Sequence, residues 1–155
     1  MSRIAVARFL MSLILLCGSA LSFVLDWRSN HLLDPLWVPH ARFHGALLLF
    51  FLAGVSAMGI WLLWRKSAEP RLAFKIGFII SIAYWTPLFY IPFALPSSSW
   101  WAGRPGAEPR LDGFVFYPNL IVAAIFLAAS LLAYRLSAGA RGEDSPHRDE
   151  AGALL

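Results

Sequence analysis

Four runs of apolar residues, each about twenty residues long, recur along the chain and constrain its fold more than any other feature. The hydrocarbon core of a bilayer is about 30 Å thick, and roughly 20 residues of helix are needed to cross it. The runs predict membrane spans at about residues 4–25, 43–64, 76–95 and 114–136. We therefore predict an all-α polytopic membrane protein, with a four-helix transmembrane bundle in residues 1–136.

The composition supports a membrane protein and excludes several other classes. Hydrophobic residues make up 59% of the 155-residue chain and charged residues only 14%, whereas a soluble domain carries about 25% charged residues. This balance excludes a soluble enzyme and a disordered regulator, and a single cysteine, Cys17, excludes a disulfide scaffold. The net charge of +4 comes from residues between the apolar runs, so we predict the lipid bilayer as a partner and no nucleic acid.

The positive charges also predict an orientation, because cytoplasmic loops carry an excess of Lys and Arg. In a four-span arrangement one side holds nine of these residues: Arg3, Arg8, Arg65, Lys66, Arg71, Lys75, Arg135, Arg141 and Arg148. The other side holds four: Arg28, Arg42, Arg104 and Arg110. We predict that both termini are cytoplasmic in a cell inner membrane, and that residues 137–155 form a disordered tail. An outer aromatic belt is predicted from Trp27, Trp37, Trp100 and Trp101.

The first apolar run allows a second interpretation. Arg3 and Arg8 give it a basic start, and Gly18 and Ala20 are small enough for a cleavage site. A cleaved signal peptide is therefore the alternative to a first span, although apolar sequence continues to Leu25.

Prolines predict an irregular outer half in the third span. Pro87 and Pro92 each remove a backbone hydrogen bond and clash with the preceding turn. The carbonyls that they free need a partner from protein, water or a cavity. Because Pro118 also opens the fourth run, the sequence predicts a cavity towards the outer leaflet between kinked and regular helices.

The first outer connection concentrates the titratable residues, including three of the four histidines. His40 and His44 are four residues apart at the start of a helix, so both side chains project from one face. Together with His31 and Asp34 they resemble a zinc or iron set, but the chain has no H-E-x-x-H pattern. We predict no metal and no cofactor.

A binding site is predicted where these polar residues meet the outer half of the bundle. Asp26 ends the first span, where a carboxylate is costly unless it is paired or hydrated. Asp26 and His44 are the candidate catalytic or proton-moving pair, with Arg42 as the counter-ion of Asp26. The candidate ligand-binding residues are His40, Arg42, Trp85, Tyr90, Tyr117 and Asn119.

Two family resemblances follow from short motifs. The segment NHLLDPLWVPHARFH, from Asn30 to His44, resembles the signature of a group of small bacterial four-span membrane proteins of unknown function, which implies the fold but no activity. The motifs FVLD ending at Asp26, YWTP from Tyr84 and YPNL from Tyr117 resemble those of the EXPERA-domain family. That family includes the emopamil-binding sterol isomerase and sterol-binding relatives, so the resemblance implies a lipid-binding cavity.

One departure separates the chain from the EXPERA pattern. The second span of that family carries an acidic residue, and residues 43–64 contain none, so His44 is the titratable group there. The favoured hypothesis is a pocket for a small lipid-like or isoprenoid molecule. The alternatives are a membrane isomerase with Asp26 and His44 as an acid–base pair, and a structural or accessory subunit; the sequence predicts no particular protein partner.

Overall fold

The computed structural model describes residues 2–95, 98–101, 106 and 108–138. Its elements are α1 (Arg3–Asp26), α2 (Pro39–Trp64), α3 (Pro70–Trp85), α4 (Pro87–Ala94), β1 (Arg110–Leu111), β2 (Phe114–Val115) and α5 (Pro118–Ala138). Taken as one helix, α3 and α4 are the third of four helices that are long and apolar enough to cross a membrane. The prediction of an all-α chain with four such helices is therefore confirmed. The predicted tail begins within the last two residues of α5, and the rest of it lies outside the described residues.

The helices begin at other residues than the apolar runs suggest. The second and third helices start earlier than predicted, at Pro39 and Pro70, and the fourth starts later, at Pro118. Proline suits the first helical turn because its missing N–H has no helical partner there. The first turns of α2 and α3 contain charged residues, which lower the local hydropathy although the helix continues through them. The apolar pattern therefore places these two helix starts too late.

The four helices form an antiparallel bundle. Contacts of Phe23 with Phe50 and of Ser12 with Trp64 show that α1 and α2 run in opposite directions. α1 and α3 each pack against both α2 and α5, and they also meet each other across the bundle, whereas α2 and α5 do not. The start of α1, the end of α5 and the connection 65–69 thus lie at one end, which we call the terminal end. The connections after α1 and after α4 lie at the opposite end, called the loop end.

The hydrophobic core lies in the terminal-end half of the bundle. Its buried residues are Ala7, Met11, Ile14, Leu15, Leu63, Ala73, Phe74 and Ala133. Close approach of the helices depends on glycine: a Cβ atom on Gly77 would lie 3.0 Å from Cγ of Met11, and one on Gly59 would lie 2.9 Å from Cδ1 of Leu15. Such small residues allow the backbone contact that stabilises helices in lipid.

The third span is broken at Thr86, as the prolines predict. Pro87 starts α4 as a new helix, and Pro92 lies inside it. α4 has no buried residue. Its Cα atoms come within 8 Å of α3 and α5 but of neither α1 nor α2. The loop-end half of the third span therefore lies apart from α1 and α2.

A short hairpin precedes α5. Its second strand, Phe114–Val115, falls within the range predicted for the fourth span. Arg110 pairs with Val115 and Leu111 with Phe114. The two turn residues between the strands, Asp112 and Gly113, have φ of 48° and 85°. This Asp-Gly turn suits the twist of a two-residue hairpin, and it explains why the fourth helix begins four residues later than predicted.

Candidate functional site

The connection between α1 and α2 is a compact cap on the loop end. The carbonyl of Asp26 accepts hydrogen bonds from the N–H groups of Arg28 and Leu32. The Leu32 side chain is 4% exposed and packs against Gly45, where a Cβ atom would lie 2.7 Å from it. The cap is thus anchored on the first turns of α2 by an apolar contact.

Asp34 and Arg42 fasten the second half of the cap. Oδ1 of Asp34 accepts the N–H of Leu36 at 2.8 Å, and the Asp34 carbonyl accepts a hydrogen bond from the Arg42 guanidinium. Arg42 was expected to be the counter-ion of Asp26. Instead, its guanidinium donates to the backbone carbonyl of Asp34, because the connection after α1 brings Asp34 close to the start of α2.

The carboxylate of Asp26 is paired with His31. Its Oδ1 lies 3.3 Å from Nε2 of His31, and the two side chains are 35% and 31% exposed. The His31 ring packs edge-on against Trp37, with 5.2 Å between the ring centroids. Sequence reasoning considered His31 only as a metal ligand, and the turn of the cap is what brings it to Asp26.

The two histidines of α2 form a second local pair. The Nε2 atoms of His40 and His44 are 3.0 Å apart, and both residues are exposed. The structure therefore joins Asp26 to His31 and His44 to His40, and it shows no bond between Asp26 and His44. Among the described residues, no three His, Cys, Asp or Glu side chains lie close enough together to hold a metal ion.

Hydroxyl groups connect α1 to α3 beneath the cap. The hydroxyl of Tyr84 donates to Oγ of Ser22 at 2.9 Å, and Ser22 donates to the carbonyl of Gly18 at 2.9 Å. Asp26 lies one turn beyond Ser22 on α1. The α4 break begins two residues after Tyr84, so this polar group lies next to the separation of α4 from α1 and α2.

We call the region between the loop-end halves of α2 and α4, where no Cα atoms of the two helices come within 8 Å of each other, the lateral cleft. Tyr84, which bonds to Ser22, lies just before α4 on the same span. In a bilayer such a space is filled by a lipid chain, a ligand or a partner helix. The predicted ligand residue Tyr90 lies on α4 and is 53% exposed.

Trp100 closes the α4–α5 side of the bundle. Its indole N–H donates to the carbonyl of Leu88 at 2.7 Å, and its own carbonyl accepts the amide of Asn119 at 3.1 Å. The ring contacts Phe93 and Tyr117, with centroid distances of 5.3 and 5.4 Å. Asn119 and Tyr117 are both predicted ligand residues. In the structure they contact Trp100 and so fix the loop that carries it to the start of α5. The sequence predicts Trp100 as a residue of the aromatic belt. It gives no sign that the indole N–H bonds to the carbonyl of Leu88, twelve residues earlier.

Trp85 packs inside the bundle. It is 7% exposed and stacks on Phe126 of α5 with 4.9 Å between centroids and 9° between planes. Beside it lies a cavity of about 10 Å³ that also touches Ser56 and Tyr84. That volume accommodates about one water molecule and no lipid.

The second loop-end connection carries one carboxylate with a shifted pKa. The N–H of Gly106 donates to Oε1 of Glu108 at 3.1 Å. A hydrogen bond to the ionised form favours that form, so it lowers the pKa of Glu108 from its usual value. Glu108 lies outside the four helices that are long and apolar enough to cross a membrane.

No family model, curated protein or solved structure matches this chain.

Proposed function

We propose that this protein is a multi-pass membrane protein that binds a small lipid-like or isoprenoid molecule in the lateral cleft. The observation that carries the proposal is the separation of α4, which approaches α3 and α5 but neither α1 nor α2. A space open to the bilayer selects an apolar, membrane-dissolved ligand. The hydroxyl of Tyr84 and the carboxylate of Asp26 supply a few polar groups that orient it, as is usual for ligand sites.

The uneven packing of the bundle supports the same location. The hydrophobic cluster lies in the terminal-end half, while α4 at the loop end has no buried residue. A ligand can therefore enter between α2 and α4 without disturbing the core. By the positive-inside rule, we further propose that the loop end faces the periplasm, that both termini are cytoplasmic and that the host membrane is the inner membrane.

The test is to purify the protein in mild detergent and to identify co-extracted small molecules by mass spectrometry. We expect one class of lipid-like molecule with the native protein and much less of it with Tyr84→Phe or Asp26→Asn. Tyr134→Phe is the matched control, because Tyr134 stacks on Phe78 at the terminal end, away from the cleft. Equal retention by Tyr84→Phe and the control, or no retained molecule with the native protein, would contradict the proposal.

A structural or accessory subunit is the second candidate, and local pairing favours it. Asp26, His44 and Asn119 each have a nearby partner, in His31, His40 and Trp100 respectively. Side chains satisfied in this way build a rigid cap on which another membrane protein can dock. Cross-linking from the cap to one specific membrane protein, without any retained small molecule, would support this role instead.

The isomerase alternative has less support from the geometry. General acid–base catalysis needs both groups within hydrogen-bond reach of the substrate. Asp26 bonds to His31, and His44 is exposed beside His40. A substrate would have to break both pairs before the two side chains could act on one molecule.

A further inference from the structure

Basic residues dominate the terminal end of the bundle. Seven cations lie there within the described residues: Arg3, Arg8, Arg65, Lys66, Arg71, Lys75 and Arg135. Glu69 is the one acidic residue at this end among the described residues. No ion pair joins any of the seven cations to a carboxylate within the described part of the chain. This end therefore carries a concentrated positive charge that the described chain does not neutralise.

Two of the seven cations differ from the others in burial. Arg8 on α1 and Arg71 on α3 are half-buried, whereas the other five are exposed. The Nε atoms of both arginines are shielded from solvent and have no hydrogen-bond acceptor in the described chain. A shielded Nε–H group without an acceptor loses hydration without compensation, so an external acceptor for the guanidinium would stabilise these two arginines.

The position of these arginines indicates what that acceptor is. Both lie in the first two turns of helices long and apolar enough to cross a membrane. In a bilayer such positions would lie near the boundary between the headgroups and the hydrocarbon core. Phosphate groups, ester carbonyls and water are the acceptors near that boundary, and phosphate is the one that the planar guanidinium can bind through two parallel hydrogen bonds. Anionic phospholipids add a net negative charge that matches the basic surface.

We propose that Arg8 and Arg71 bind the headgroup phosphates of anionic phospholipids at the terminal end of the bundle. The five exposed cations contribute a diffuse attraction, while these two make the specific contacts. This site lies at the opposite end from the lateral cleft, so it does not depend on the function proposed above. It also holds for either orientation of the bundle, because it requires only that the terminal end faces a leaflet.

The test uses the full-length protein in nanodiscs of phosphatidylcholine with or without phosphatidylglycerol, and native mass spectrometry to count retained lipids. We expect preferential retention of phosphatidylglycerol. The double variant Arg8→Gln/Arg71→Gln should weaken that retention by roughly fivefold per arginine, which corresponds to ~1 kcal/mol per cation near an anionic surface. The matched control is Arg3→Gln/Lys66→Gln, which removes the same charge from exposed positions and should keep most of the preference.

Three results would overturn the proposal. One is equal retention of the two lipids by the native protein. The second is an equal loss of preference in both double variants, which would make the effect one of net charge alone. The third is displacement of the lipid by inorganic phosphate at low concentration, which would indicate a site for free phosphate. If the glutamine variant fails to fold, Arg8→Lys/Arg71→Lys keeps the charge but removes the bidentate geometry, and it should still lower retention.

Discussion

The indole N–H of Trp100 donates its hydrogen bond to the carbonyl of Leu88, which is the carbonyl that Pro92 leaves without a helical donor. In a regular helix the N–H of residue 92 would bond to that oxygen. Proline has no N–H, and lipid offers no substitute. A side chain from the following loop therefore completes the hydrogen bonding of α4 and at the same time fixes the loop to the helix.

This relationship predicts a coupled effect of two substitutions. Trp100→Phe keeps an aromatic ring between Phe93 and Tyr117 but leaves the Leu88 carbonyl unpaired, so it should cost about 1–3 kcal/mol of folding free energy. Pro92→Ala restores a backbone donor, so Trp100→Phe should cost much less in that background. A double-mutant cycle of unfolding free energies measures the coupling. Additive effects would show that the Trp100 hydrogen bond does not compensate for Pro92.

The packing of the cap on α2 predicts an effect of a single methyl group. In Gly45→Ala the new Cβ atom would lie 2.7 Å from Cδ1 of the buried Leu32, so the leucine must move, and this variant should be about 1–3 kcal/mol less stable than a glycine-to-alanine variant without such a clash. Gly54→Ala is the matched control on the same helix, because no atom lies within 4 Å of its added Cβ. It should leave stability unchanged or raise it by up to about 1 kcal/mol, because alanine favours helix. Thermal unfolding of both variants in one detergent compares them. A stable Gly45→Ala protein would mean that Leu32 is not held against α2.

The Asp26–His31 pair should contribute little to stability. Both side chains are about one-third exposed, and pairs of this kind couple by roughly 0.2–1 kcal/mol. Asp26→Asn, His31→Asn and the double variant form the cycle that measures this coupling by thermal unfolding. If Asp26→Asn instead unfolds the protein, a loss of ligand retention in this variant would result from unfolding. Asp26 would then be a structural residue.

The proposed orientation predicts which loops react with a membrane-impermeant maleimide. In a Cys17→Ser background, a cysteine replacing Asp112 in the hairpin turn should be labelled in intact cells. A cysteine replacing Ser67, in the connection between α2 and α3, should be labelled only after lysis. Both positions are exposed, so accessibility within the protein is matched. The reverse pattern would place the termini outside the cytoplasm.

The sequence predicts the membrane class and the number of helices well, because bilayer thickness imposes a length that composition alone reveals. It predicts helix starts less well. The first turn of α2 contains His40 and Arg42, and the first two turns of α3 contain Arg71 and Lys75, so both helices extend beyond the apolar run. The hairpin carried a readable signal, since Asp112-Gly113 between short β-prone segments is typical of a two-residue turn.

The side-chain pairs of the candidate site could not be predicted from the sequence in the same way. Asp26 pairs with His31 because the connection after α1 turns back towards the end of that helix. The sequence suggests two other partners for Asp26, namely Arg42 as its counter-ion and His44 as its catalytic partner. Tyr84 reaches Ser22 across 62 residues of chain. Such contacts depend on how two helices are rotated against each other, and helical periodicity alone leaves that rotation open.

The buried apolar cluster lies at the terminal end, so the helices are held together by hydrophobic packing mainly at this end of the bundle. Stretching or thinning of the surrounding bilayer should act first on the loop-end halves of α2 and α4, whose Cα atoms do not come within 8 Å of each other. The distance between these halves can then increase while the terminal end keeps its geometry. The thickness and lateral pressure of the host membrane would then regulate access to the lateral cleft without any change in sequence.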